Sequence, residues 1–420
     1  MAYVIALTSG GGVPLFTRTI GDYEALPFPT VGSLNGVHMF TETHGAKLLS
    51  TRTQNAKIVW QVFNDSITII IVTVDDGASD VHLKTLLQFI YNAMILFLGE
   101  NELKSLRNVE RLKKELKSIY FLIDKLLEES LLIGHITGCL DTTAFTDIDV
   151  LQDCLEAFVG WCNTEFGCVL INGKLAASTT RWWNLPSTDS ILLSLLISAM
   201  VHSASKDIAI YLPATFPDVP HRLMTFQILD GVEVCVLCGS TPSHNEVLQN
   251  QILDSYWRSC IDILKNDMRN APKVLPPSIT LDFGILGFIL LNQNSRKCLA
   301  TFVRAVSNFT GIDDSAAIVP GNSITAELQC RNTLVSFYKS VVDTLFPVVN
   351  KCYTTDMDEN IIDEDNTPVE TYMCSDEYKL HALHKKNYQC FIMFSKDVPV
   401  YALSQISSRT LEQLCQDGII

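Results

Sequence analysis

Residues 9–16 read SGGGVPLF, Ser9-Gly10-Gly11-Gly12-Val13-Pro14-Leu15-Phe16. Whether this glycine run cradles a phosphate or only turns the chain decides the fold. A phosphate loop continues into Gly-Lys-Ser/Thr and opens a helix, so that backbone N–H groups and the lysine meet the phosphates. Here Val13 and Pro14 follow, and the first lysine is Lys47. The dinucleotide fingerprint also fails, because no further glycine comes at the required offset and the flanking pattern is not helical. Residues 2–8 and 13–20 are apolar, β-branched runs with Arg18 as the one charge. Two such runs joined by glycines predict a β-hairpin, since glycine accepts the positive φ values of tight turns.

Reading outward from the hairpin, residues 29–45 suit a helix, with proline at the start and glycine at the end. Extended runs follow at 46–53, 57–63 and 67–74, then helical segments at 80–98 and 102–127. The order β-β-α-β-β-β-α-α predicts an α/β layered module, a mostly antiparallel five-stranded sheet flanked by helices. A looser second copy runs from a helix at 151–166 through a hairpin at Asn172-Gly173, a helix at 188–202, and three strands with a turn at Asp230-Gly231, to a long helix at 245–268. A third, less regular unit has a hairpin over 285–303, a helix at 324–349, late strands at 377–383, 390–394 and 400–403, and a terminal helix near Thr410. The expected domains are therefore 1–140, 148–270 and 279–420, with a proline-rich linker at 271–278 and an acidic loop at 354–370.

The chain has 420 residues and a formal net charge of −15. That acidity argues against nucleic-acid binding, which needs a basic footprint. The 13 cysteines are scattered and odd in number, unlike a disulfide framework. With no signal-like N-terminus and no apolar run as long as a membrane span, the expectation is a cytoplasmic protein with reduced thiols.

Five stretches together resemble the Fuzzy family of planar cell polarity effectors: SGGGVPLF, GSLNGVHMF (32–40), FNDSIT (63–68), RNVERLKKELKSIYFLID (107–124) and VPHRL (219–223). The resemblance is dense over the first 130 residues, patchy to about residue 270 and weak beyond. It implies three longin-type domains, a heterodimer with an Inturned-like longin protein, a WD-repeat partner, and action on a Rab-like small GTPase at the ciliary base. It implies no cofactor and no catalytic residue in this chain. A longin-type trafficking adaptor without exchange activity is the second reading.

The helix at 29–45 carries the main candidate surface. At 3.6 residues per turn, Leu34, Val37, Phe40 and Thr41 share a face that suits the sheet. Gly32, Asn35, Gly36, Met39 and Thr43 fall opposite, and form the candidate docking face for a partner longin domain or GTPase. Glycine inside a helix costs about 1 kcal/mol relative to alanine, and close approach of another backbone would account for it. A distorted helix start or packing within the chain is the structural alternative. A basic stripe, Lys104, Arg107, Arg111 and Lys114, is a candidate for an acidic partner or anionic phospholipid. Its alternative is a solvated face with a Glu110–Lys114 pair. Cys235 and Cys238 form a CxxC inside a strand, where residues three apart point to opposite faces, so they read as structural thiols rather than a redox or zinc pair. His221 reads as a structural histidine. Trp182-Trp183 reads either as a partner pocket or as domain packing.

Overall fold

A computed structural model of the chain describes residues 2–21, 26–74, 79–128, 133–145, 147–200, 204–243, 247, 252–269, 275, 281–282, 284–302, 320–346 and 369–416. They fall into two compact units, Met1–Leu132 with Phe145–Ala271, and Ile133–Ala144 with Pro272–Ile420.

The first module contains β1 (Ala2–Thr8), β2 (Pro14–Ile20), α1 (Phe28–Thr43), β3 (Ser50–Arg52), β4 (Lys57–Phe63), β5 (Ile67–Thr73), α2 (Asp80–Leu98), α3 (Glu100–Ser105), α4 (Val109–Leu116) and α5 (Tyr120–Leu127). The sheet order is β2-β1-β5-β4-β3, and each pair is antiparallel. The glycine run is the expected hairpin turn: Thr8 N–H donates to Val13 O at 3.0 Å, and Gly12 N–H to Thr8 O at 2.8 Å. Strand β5, ITIIIVT, is buried along its whole length because helices cover both faces of the sheet. α1 lies on the side of Tyr3, Ile5, Leu7, Trp60 and Ile70.

The second half of this module departs from the reading of one helix over 102–127. Leu106 takes a left-handed conformation, φ 38° and ψ 38°, and ends α3. Asn108 then caps α4, its side chain accepting from Arg111 N–H at 3.0 Å. A 3-10 turn at Lys117–Ile119 leads into α5.

The next strand, β6 (Leu140–Asp141), is part of the third sheet. The second module comprises α6 (Ile148–Trp161), β7 (Phe166–Ile171), β8 (Lys174–Ser178), α7 (Thr180–Trp183), α8 (Ser187–Ala199), β9 (Ser205–Leu212), β10 (Phe216–Leu229), β11 (Val232–Cys238) and α9 (Ile252–Arg269). Its order, β8-β7-β11-β10-β9, repeats that of the first sheet. Asn172 and Gly173 both have positive φ, the mark of the two-residue hairpin turn that their sequence predicts.

The two modules of this unit pack through α2 and α5 of the first and α8 and β9 of the second. That explains why most of the residues of α2 and α8 are buried. Contrary to the expectation that no run is long enough, α2 has the length and apolar composition of a membrane span, yet 67% of its most apolar 18-residue window is buried inside the protein. Gln88 and Asn92, which interrupt its apolar sequence, hydrogen-bond each other at 3.1 Å.

The third module holds β12 (Ile285–Asn292), β13 (Lys297–Phe302), α10 (Pro320–Thr344), β14 (Val369–Cys374), β15 (Tyr378–Lys385), β16 (Tyr388–Ser395) and α11 (Leu403–Gln416). The sheet is β14-β15-β16-β12-β13-β6. Without β6 it again shows the order of the other two. β6 adds in parallel to β13, pairing Leu140 with Lys297. Residues 133–144 therefore belong with this sheet, and the first module does not extend to residue 140 as expected. The expected strand at 400–403 is instead a 3-10 turn after Pro399 that runs into α11. Of the expected linker only Leu275 is described, and of the acidic loop only Val369 and Glu370, which open β14.

Candidate docking surface

α1 begins after Pro27 and carries one formal charge, Glu42, in 16 residues. Its inner side is set by Val31 and His38, both buried, with Leu34 packed against the same core. Trp60 Nε1–H donates to the Leu34 carbonyl at 3.3 Å, fixing the helix on the sheet. This rotation differs from the one its pattern suggests. Val37 is 52% exposed and Phe40 64% exposed, so neither holds the sheet. Apolar residues occur on every side of α1, and the sheet selects the side whose side chains fit beneath it.

The outer face therefore contains Val37 and Phe40 together with Gly32, Gly36, Met39 and Thr43, all exposed. A Cβ placed on Gly32 or Gly36 would meet nothing within 4 Å. Asn35 departs from this group. It is half-buried, its Nδ2 donating to Met39 Sδ at 3.3 Å. The hydroxyls of Ser33, Thr41 and Thr43 turn back on the helix's own backbone. Ser33 Oγ–H donates to Pro29 O at 2.9 Å and Thr43 Oγ1–H to Phe40 O at 2.7 Å. The Phe40 ring lies over His44, with centroids 4.3 Å apart. These hydroxyls can be covered without being stranded, which makes their desolvation cheap. In the second module the helix at the same place in the strand order, α8, is covered by the first module.

The basic residues do not form one stripe. The break at Leu106 puts Lys104 on α3 and Arg111 and Lys114 on α4. Lys104 pairs with Glu100 at 2.8 Å and Arg111 with Glu115 at 2.7 Å. Glu110 pairs with Lys113, not Lys114, at 2.9 Å, and that hydrogen bond lowers its pKa. Arg107 and Lys114 are exposed and make no ion pair among the described residues.

The remaining candidates are structural. Cys235 and Cys238 are both buried. Cys238 packs in the core under α6 and α9, while Cys235 lies opposite Cys168 on β7. Burial pushes the Cys238 thiol up to about 11 and that of Cys235 well above its ordinary value. The packing of α6 on α9 brings the sulfurs of Cys154 and Cys260 next to each other. Trp182 is fully buried, which settles that ring as domain packing. His221 Nδ1 hydrogen-bonds Val219 O at 2.9 Å on β10.

Three sheets of the same strand order, each with a helix between its second and third strands and another after its fifth, make this a protein of three longin domains. Family models for the first, second and third longin domains of FUZ, MON1 and HPS1 match residues 2–126, 162–254 and 284–417. The chain is 34% identical to the protein fuzzy homolog of Xenopus tropicalis over 99% of its own length and 98% of that protein's. It is 36% identical to that of Homo sapiens over 82% of this chain and 80% of the relative. To that of Mus musculus it is 33% identical over 98% and 97%. The chain belongs to the Fuzzy family. Longin domains are typically non-catalytic.

Proposed function

We propose that this chain is a non-catalytic longin subunit of a planar cell polarity effector complex needed for ciliogenesis. It pairs through α1 of its first module with an Inturned-like longin protein and joins a WD-repeat effector. The assembled pair recruits, or promotes nucleotide exchange on, a Rab-like small GTPase. The work is done in the cytoplasm, at the ciliary base beside the cytoskeleton, where Arg107 and Lys114 add attraction to anionic phospholipid.

The observation that carries this reading is the bare outer face of α1: Val37 and Phe40 in water beside two glycines over which nothing packs. Exposed aromatic anchors flanked by small residues are what a partner helix or sheet needs for close contact.

The test uses the purified full chain, an Inturned-like partner and a Rab-like GTPase loaded with a fluorescent GDP analogue. Nucleotide release should accelerate only when both longin proteins are present. A pair that forms without accelerating release supports an adaptor role in vesicle trafficking instead. Absence of pairing, or pairing unchanged by Phe40→Asp, would overturn the docking assignment.

A further inference from the structure

The repeated strand order makes three edge strands equivalent: β3, β9 and β14. An exposed edge presents a row of unpaired backbone donors and acceptors, and proteins normally shorten or cover it. β3 is cut to three residues, and β9 lies against α2. Among the described residues β14 has neither protection. It is six residues long, VETYMC, and pairs with β15 in unbroken register without a bulge. It contains no proline or lysine, the usual blocking residues. Its side chains are exposed on both faces of the sheet, Tyr372 by 59%.

The faces differ in chemistry. Val369, Thr371 and Met373 point to the side covered elsewhere by α10, while Glu370 and Tyr372 share the side of His381. Glu370 is held upright there by Ser404 Oγ–H, which donates at 2.6 Å. The described residues of the strand and its following turn carry only negative charge: Glu370 on β14 and Asp376 and Glu377 in the exposed turn after it. Lys379 is engaged, its ammonium donating to Lys396 O at 2.7 Å.

We infer that β14 is a strand-addition site for an extended protein segment that alternates apolar and basic side chains. The incoming backbone would pair with the free edge of β14. Its apolar side chains would lie beside Val369 and Met373, and its basic ones beside Glu370 and over the Tyr372 ring. This surface is separate from α1 and does not depend on the pairing proposed above.

The probe is a short synthetic peptide of alternating lysine and valine, added to the full chain, with hydrogen exchange of the β14 amides and fluorescence anisotropy as readouts. The alternating peptide should protect β14 and bind more weakly as salt rises. A glutamate–valine peptide, and a block peptide of the same composition as the probe, should do neither. Paired Glu370→Lys and Tyr372→Lys substitutions should weaken binding at least about tenfold, as like charges meet, with an unchanged circular dichroism spectrum. Failure of the alternating peptide to protect β14 would overturn the site. So would outward β14 amides already protected in the free chain at low concentration. Protection that grows with chain concentration alone would assign the edge to a second copy and overturn the basic segment.

Discussion

Asn35 stands over Gly12: a Cβ built on Gly12 would lie 2.3 Å from Asn35 Nδ2, and Gly12 holds φ at +61°. The hairpin turn and α1 are thus seated against each other, and the glycine run serves fold geometry. The three glycines are not equivalent, since nothing lies within 4 Å of a Cβ at Gly10.

Gly12→Ala should therefore destabilise the first module by about 1–3 kcal/mol, through left-handed strain and displacement of Asn35. Gly10→Ala should change stability by no more than about 0.5 kcal/mol. Urea unfolding of the two variants checks this, and equal midpoints would refute it.

The outer face of α1 should separate folding from pairing. Gly36→Leu adds a better helix former in open space, so the chain should fold at least as stably, with a gain of up to about 1 kcal/mol. The added bulk should block close docking and cost the partner about 2 kcal/mol or more in affinity. Val31→Ala, on the buried side, should instead lower stability by about 1–3 kcal/mol with pairing intact in whatever remains folded. Thermal unfolding beside pull-down of an Inturned-like partner distinguishes the two faces.

Arg107 and Lys114 should account for binding to anionic vesicles. Replacing both with glutamate should weaken that binding and flatten its salt dependence, while Lys104→Gln, already paired with Glu100, should matter less. Vesicle sedimentation at two salt concentrations measures this, and equal effects of all three positions would return the whole patch to a solvated surface.

His381 should make the third module acid-sensitive. It is buried, its Nδ1 hydrogen-bonded with Ser407 Oγ at 2.9 Å and its Nε2 3.5 Å from Glu370. Burial lowers its pKa below the ordinary 6.5, against the opposing pull of Glu370. As pH falls, the unfolded chain takes up this proton before the folded one. The stabilising contribution is thus complete above about 6.5 and declines below it toward the folded value. His381→Gln should flatten that part of the stability–pH curve, as followed by Tm across the acid range; an unchanged slope would place the sensitivity elsewhere.

The structure separates signals that are local from those that are not. The turns at Asn172-Gly173 and Asp230-Gly231 and the β-branched run of β5 were legible because a few adjacent residues decide them. The orientation of α1 was not, since Val31, Leu34, Val37 and Phe40 supply apolar surface on several sides and no period selects one. Leu106 gave no warning of its left-handed turn, although Asn108 is a recognisable helix cap. β14 was hidden because its first residues continue an acidic stretch.

By itself the sequence determined the α/β class, the hairpin in place of a phosphate loop, and the two clearest copies of the repeat. These follow from backbone preference and from the alternation of side chains over a few residues. Tertiary structure alone decided which side of α1 meets water, that residues 133–144 complete the third sheet, and that β14 keeps a bare edge among the described residues while β9 lies against α2. Each of those depends on which distant segment occupies a neighbouring surface, and burial is a property of that neighbour as much as of the residue itself.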